Sequence, residues 1–290
     1  MKLGIVGVGY WGKIIINNLQ QLNYKNLVLC DSKDVLDNLN LGRKFESTTN
    51  YKKLKCDKVF VLTPAIHHYE ICKYFLKQGK SVFCEKVLTP NTDHALELYH
   101  LAKENNCKLF VDWVFTFNSE VNKIKEIYDS GALGEIKHVT MNRQNYGPFR
   151  NDVDARYDLA SHDLSILMYI FNNKLEKINW INYKRDQLDT QNDSTLSLLQ
   201  FDKFTATINA SWRYSKKDRK CFFDFQQGLV EWDDVTKSLN VESECDIIIP
   251  EGDDKSPLHK SLLSFLKNKN FNYSKQQQMT INIIGALNGD

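Results

Sequence analysis

The sequence predicts a two-domain α/β protein: a doubly wound parallel sheet at the amino end, then an α/β domain with an open, mostly antiparallel sheet. Three observations predict it. Residues 1–115 alternate short apolar runs with amphipathic helical patterns. A glycine-rich turn joins the first of those runs to the first helix. Beyond residue 170, strand-like runs follow one another with no helix between them, the mark of an antiparallel sheet. A chain of 290 residues divides comfortably at that change of character, into domains at 1–115 and 116–290.

Each element has a local reason. Lys2–Val6 is a buried strand that enters Gly7-Val8-Gly9-Tyr10-Trp11-Gly12, and Ile14, Ile15 and Leu19 begin a helix. Leu27–Cys30 is the second strand, followed by a helix over Ser32–Leu41. Lys58–Leu62 is a strand broken by Thr63-Pro64, and the helix of Tyr69–Leu76 stops at Gly79. After the strand Ser81–Cys84, Asn91-Thr92-Asp93 caps a helix that reaches Glu104. Lys108–Phe117 is the last strand of the first half. The second half opens with a helix at Ser119–Ser130 ended by Gly131 and a strand at Glu135–Gln144. An irregular stretch, Asn145–Tyr157, precedes a helix at Asp158–Phe171. Strands then run at Leu175–Tyr183, Ser194–Phe201, Thr205–Trp212, Cys221–Gln226 and Leu229–Trp232. Pro257–Lys267 is amphipathic and helical, while Ile281–Leu287 is ambiguous.

The glycine turn points to a dinucleotide. A G-x-G-x-x-G motif acquires meaning between a strand and a helix, which is its setting here. Gly7 permits the tight turn, Gly9 leaves room for a pyrophosphate, and Gly12 lets helix and strand pack closely. The phosphates then meet backbone N–H groups at the positive end of the helix. Asp31 ends the second strand nineteen positions after Gly12, where a carboxylate can accept both ribose hydroxyls. Composition excludes other classes. A net charge of +2 makes no electrostatic case for nucleic acid or an anionic membrane. No apolar run is long enough to span a bilayer, and the turn at Gly7 leaves no room for a signal peptide. The seven cysteines, at 30, 56, 72, 84, 107, 221 and 245, are scattered and form no C-x-x-C, which favours reduced thiols in the cytoplasm and argues against a metal site.

Two clusters carry candidate chemistry. Cys84-Glu85-Lys86 lies at the carboxyl end of a strand, where ligands of open α/β sheets bind. Lys86 there either hydrogen-bonds a substrate hydroxyl or is a surface lysine in a turn. Asp158 and His162 are four apart, so a helix places them on one face. A carboxylate beside an imidazole raises its basicity and orients it for proton transfer. Against this, Asp158 is equally suited to cap a helix and His162 to be a hydrogen-bonded core residue.

Together these residues resemble a known family. Gly7–Gly12, Thr63-Pro64 with His68, Cys84-Glu85-Lys86 and Asp158-x-x-x-His162-Asp163 stand in the order and spacing of the glucose–fructose oxidoreductase, inositol dehydrogenase and rhizopine catabolism (Gfo/Idh/MocA) family. The similarity continues through Phe117-Asn118, Gly131–Ile136, Arg143–Arg150, Ser211-Trp212, Gly228 and Trp232-Asp233-Asp234, and fades beyond about residue 235. The resemblance implies a Rossmann domain followed by an α/β domain, with the active site between them. It implies reversible hydride transfer between a nicotinamide cofactor and a secondary alcohol of a sugar, cyclitol or nucleotide-linked sugar. Lys86, Asp158 and His162 would be the catalytic set. Gly7, Gly9, Tyr10, Trp11, Gly12, Asp31, Ser32, Thr63, Pro64, His68, Glu85 and Lys86 would border the cofactor. Arg143, Asn145, Tyr146 and Tyr157 would meet the substrate, with Arg150, Trp212 and Arg213 as further candidates. No metal is implied. Family members often pair sheet to sheet, so a homodimer or homotetramer is expected, using the apolar residues Leu196–Leu199, Ile208, Ala210 and Trp212.

One departure stands out. The family usually has proline after Glu-Lys, and this chain has Val87, which fixes the backbone less rigidly. Asp31 would repel a 2′-phosphate, favouring NAD over NADP, although Lys33 is near and Ser32 stands where an arginine would aid NADP. Two rival readings stay open: a non-catalytic dinucleotide-binding regulator, and a reductase of a non-sugar substrate on the same fold.

Overall fold

The computed structural model describes residues 1–39, 45–172, 175–184, 191–244, 249, 251 and 255–289. The end of the helix expected over Ser32–Leu41, and Cys245, lie outside them. The chain forms two compact units, Met1–Trp113 with Leu258–Ile281, and Val114–Pro257 with Asn282–Asp290.

The first unit is built on six parallel strands, β1 (Leu3–Val6), β2 (Leu27–Cys30), β3 (Glu46–Thr48), β4 (Lys58–Val61), β5 (Ser81–Cys84) and β6 (Leu109–Val111), in the order β3-β2-β1-β4-β5-β6. Strands such as Leu3–Val6 and Leu27–Cys30 are apolar throughout because both faces are covered. Helices α1 (Tyr10–Gln21), α2 (Lys33–Asp37), α3 (His68–Leu76) and α4 (Thr92–Glu104) connect them. On α1 the buried stripe is Ile15, Ile16 and Leu19. The Asn91 side chain caps α4 by accepting from the His94 N–H at 3.0 Å, as the sequence predicts. The strand expected over Lys108–Phe117 is cut short at Val111, and Val114–Phe117 is a 3-10 turn. The strand order reverses between β1 and β4, and ligands of such sheets bind at the carboxyl ends beside that point.

The sequence reading keeps everything after residue 116 in the second domain, but residues 258–281 pack with the first unit. The reason is aromatic and polar. Phe265, from α7 (Pro257–Leu266), packs edge-on against the rings of Phe60 and Phe83 at 5.4 and 5.6 Å. Gln276, from α8 (Tyr273–Asn288), donates to the Val111 carbonyl at 3.0 Å and accepts from its N–H at 3.2 Å, so its amide substitutes for a strand beside the edge strand β6. Trp113 Nε1 donates to Thr280 Oγ1 at 2.8 Å.

The second unit has an eight-stranded sheet, β7 (Ile136–Tyr146), β8 (Leu175–Tyr183), β9 (Ser194–Phe201), β10 (Thr205–Ser211), β11 (Arg213–Asp218), β12 (Lys220–Phe225), β13 (Gly228–Asp233) and β14 (Ser238–Ser243). The order is β14-β13-β12-β7-β10-β9-β8, with β11 also on β7; every pair is antiparallel except β7 with β10. Helices α5 (Ser119–Ser130) and α6 (Ser161–Ile170) belong to this unit. Asn118 caps α5 and Gly131 closes it at φ 68°. Strand alternation is regular: on β9, Thr195, Ser197, Leu199 and Phe201 are buried, while Leu196 and Leu198 face out at 46% and 51% exposure. Ile208, Ala210 and Trp212, expected on the outer face, are buried instead, because Ile208 pairs with the inward Ser197 and Met141. No helix among the described residues is long and apolar enough to cross a membrane.

Candidate active site

In the first unit the residues of the glycine turn occupy the places their chemistry asks for. Gly7 has φ +95°, and a Cβ there would press within 2.6 Å of the Leu62 carbonyl carbon. A Cβ on Gly12 would lie 2.2 Å from the Gly7 carbonyl oxygen, so that glycine sets the closeness of α1 to the turn. A Cβ on Gly9 would meet nothing within 4 Å, which leaves the space a pyrophosphate needs at the start of α1. Tyr10 and Trp11 open that helix; Tyr10 is exposed and Trp11 half-buried.

Asp31 stands at the end of β2. Its Oδ2 accepts from the Val8 N–H at 2.5 Å and its Oδ1 from the Ser32 N–H at 2.7 Å, so β2 and the glycine turn are tied through one carboxylate. Each oxygen retains acceptor capacity for a ribose hydroxyl. A cleft of about 340 Å³ opens here, lined by Gly7, Asp31, Ser32, Tyr51, Thr63 and His67. These residues fit a dinucleotide. Tyr51 and His67 escape the sequence reading: Tyr51 follows a short polar strand, whereas His67 could have been found from its place beside Thr63-Pro64.

The remaining cofactor candidates cluster past β4 and β5. Pro64 caps a 3-10 turn over Ala65–His67. His68 is buried: its Nδ1 lies 2.8 Å from the Val87 carbonyl oxygen and its Nε2 lies 2.7 Å from that of Thr63. The ring therefore addresses two backbone carbonyls rather than opening toward the cleft. The Glu85 N–H donates to the Val61 carbonyl at 2.9 Å, extending the β4–β5 pairing one step. Lys86 follows, half-buried, and Val87 is buried; the peptide bond between them is cis.

In the second unit the expected regular helix from Asp158 is replaced by a π-turn over Arg156–Ala160 that leads into α6. Asp158 is thus not the helix cap; Asp154 Oδ1 accepts from the Tyr157 N–H at 3.1 Å instead. Turns of this kind recur at functional sites, where they re-aim a side chain. The Asp158 carboxylate receives Arg150 Nη1 at 3.2 Å on Oδ1 and Trp212 Nε1 at 3.1 Å on Oδ2. Arg150 also grips Asp152 through two bonds of 3.0 and 2.8 Å. His162 is half-buried, with the Phe115 ring edge-on at 5.1 Å.

The substrate candidates divide. Arg143 is fully buried, ion-paired to Asp163 at 2.7 Å and stacked over Phe115 at 4.6 Å. The sequence reading places it against the substrate; here its side chain is wholly buried against Phe115, whose ring meets His162 edge-on. Burial pushes the Asp163 carboxyl up, against the opposing pull of the Arg143 guanidinium. Asn145 is held at both ends, donating to the Gly147 carbonyl and accepting from Arg219 Nη2 at 2.5 Å. Tyr157 donates to Asn288 Oδ1 at 2.5 Å. Tyr146 is 68% exposed and packs edge-on against Phe149. Arg213 pairs with Asp193 at 2.8 Å and covers the Phe149 ring. Asp163 and Asp193 each meet an arginine twenty positions away, a pairing that no local pattern marks, whereas Asp152 pairs with Arg150 two positions before it.

Fold and glycine turn define a protein with a dinucleotide-binding domain, and comparison with known proteins makes the class particular. Residues 1–113 match the oxidoreductase family with an NAD-binding Rossmann fold, and residues 121–231 match the GFO/IDH/MocA C-terminal domain. The chain belongs to the Gfo/Idh/MocA family of oxidoreductases, and its first domain is NAD-binding. An uncharacterized oxidoreductase of Synechocystis sp. is 23% identical over 190 residues, 59% of this chain and 51% of the relative. The myo-inositol 2-dehydrogenase of Thermotoga maritima is 23% identical over 192 residues, 61% of this chain and 57% of the relative. The matched stretch thus spans little more than half the length of either. The WlbA dehydrogenase of Bordetella pertussis, solved with NADH and UDP-GlcNAcA, shares the fold at a TM-score of 0.85 and 15% identity, covering 100% of this chain and 94% of that one.

Proposed function

We propose that the protein is an NAD-dependent dehydrogenase or ketoreductase acting on a ring CH–OH group of a sugar or cyclitol. The observation that carries this reading is Lys86 placed directly past β5 of an NAD-binding sheet, in a chain that also holds Asp158 in a polar clamp four residues before His162. NAD, when bound, supplies the hydride acceptor. Lys86 donates a hydrogen bond to the substrate oxygen, and His162 takes the hydroxyl proton as the carbon gives up hydride. Asp158, fixed by Arg150 and Trp212, tunes the charge beside His162. The clamp supports a functional role for Asp158 because a mere helix cap would need neither partner.

Among substrates the reading favours an uncharged, hydroxyl-rich ring over a nucleotide-linked one. Arg143, Arg150 and Arg213, the arginines among the substrate candidates and the groups suited to a carboxylate or phosphate, are each paired with a carboxylate of the same unit. The outer face of the second unit's sheet, with Ile181, Leu196 and Leu198 exposed, supports self-association into a dimer or tetramer. The six cysteines among the described residues are free and buried, in keeping with a reducing cytoplasm.

The test is NAD⁺ reduction with a panel including myo-inositol and UDP-N-acetylglucosamine, alongside NADH binding by fluorescence. Lys86→Ala and His162→Ala should each lower kcat at least about 100-fold with NADH affinity within a few-fold of wild type. NADH binding without turnover of any alcohol, or variants as active as wild type, would refute the proposal in favour of a non-catalytic binder.

A further inference from the structure

We infer that His68 is a positioning residue, which orients Lys86 by clamping the backbone on either side of the cofactor cleft. The inference rests on the dehydrogenase reading for its consequence in turnover, but its geometry is independent of it.

The β4–β5 pairing ends with the Val61–Glu85 hydrogen bond, and past it the two chains diverge into the Thr63-Pro64 turn and the Glu85–Val87 segment. Those two segments carry the parts that matter: Thr63 lines the nucleotide cleft, and Val87 is bonded to Lys86. Loops that diverge past the carboxyl ends of two strands have no ladder to hold them in register. His68, the first residue of α3, stands between them at 1% exposure, with Nε2 at 2.7 Å from the Thr63 oxygen and Nδ1 at 2.8 Å from the Val87 oxygen.

An imidazole has its two nitrogens on one rigid plane, so it sets the separation of the two carbonyls as a strut does. A carbonyl accepts only, so a neutral ring donates to one of the two oxygens and a protonated ring to both. A glutamine presents an amide oxygen on one side and an NH₂ on the other, and can restore one contact but not both. A leucine restores neither contact. Val87 directly follows Lys86, so the ring restrains the backbone from which the lysine side chain extends. Val87 stands where proline would otherwise stiffen this segment; the His68 clamp supplies a hold of a different kind.

The test uses the full chain. Lys86 acylation by an N-hydroxysuccinimide ester is followed by peptide mass spectrometry, with exposed Lys103 as internal reference. His68→Leu should change the Lys86 rate at least about 3-fold relative to Lys103, and His68→Gln should fall between it and wild type. The substrate identified by the panel above is then used in a double-mutant cycle. His68→Leu should lower kcat about 10-fold with KM within about 3-fold, and should change the residual kcat of Lys86→Met by less than about 2-fold. An unchanged Lys86 rate in both variants, or an equal loss of kcat in both backgrounds, overturns the inference. If His68→Leu does not fold, His68→Gln alone decides by the same criteria. Should wild type turn over nothing, the dehydrogenase reading fails while the acylation rates still decide the role of His68.

Discussion

Replacing Asp112 by asparagine should stabilise the protein at alkaline pH and do much less at acid pH. Asp112 follows β6 and is fully buried; its Oδ1 accepts from Ser261 Oγ at 2.5 Å and its N–H donates to the Cys84 carbonyl at 2.9 Å. Burial pushes its carboxyl up to about 7 from an ordinary 3.8, with the Ser261 hydroxyl pulling the other way. A group whose folded pKa is raised lends its stability below its unfolded pKa and loses it as pH rises through the folded one. The rise of about three units corresponds to about 4 kcal/mol lost by pH 8, of which less than half is already lost at pH 5. An asparagine side chain in this place keeps an acceptor for Ser261 and cannot ionise. Urea titrations followed by tryptophan fluorescence should therefore show Asp112→Asn gaining about 2–3 kcal/mol more over wild type at pH 8 than at pH 5. Equal effects at both pH values would mean that Asp112 is ionised in the folded protein, and the burial argument would be wrong.

Other outcomes follow from the same geometry. Gly9→Ala should fold with an unfolding temperature within about 2 °C of wild type, since its Cβ meets nothing, yet bind NADH at least about 10-fold more weakly by fluorescence titration. Arg143→Leu, by leaving Asp163 as a buried unpaired charge, should cost about 3–5 kcal/mol in chemical denaturation. Combining it with Asp163→Leu should recover most of that loss, and a fully additive double variant would show that the pair does not interact. Light scattering should give a mass of two or four chains, falling toward one in Leu196→Glu with Leu198→Glu; a single-chain mass for wild type would remove the proposed interface.

The first unit was largely legible before any coordinates because its signals are local. A strand, three glycines and an acid at fixed spacing describe a backbone path that few other sequences could follow, and Asn91 caps its helix through a bond that spans three residues. The second unit was legible as a set of strands, but not in its pairing: β11 and β14 are polar enough to pass for loops, and the parallel step between β7 and β10 has no sequence marker. Arg143 illustrates the limit. In the sequence it reads as a substrate-binding residue near the end of a strand; in the structure it is the buried partner of Asp163, twenty positions away.

What the residues determined on their own was whatever depends on short-range sterics and periodicity: the nucleotide turn, the helix caps, the order of elements and the identity of Lys86, Asp158 and His162 as candidates. Tertiary structure alone decided that Leu258–Ile281 returns to the first unit, that a π-turn carries Asp158, and that His68 spans two loops. Those outcomes depend on long-range partners, Phe265 on Phe60, Trp212 on Asp158 and Val87 on His68, whose meeting is fixed by the packing of whole elements and by no pattern within any one of them.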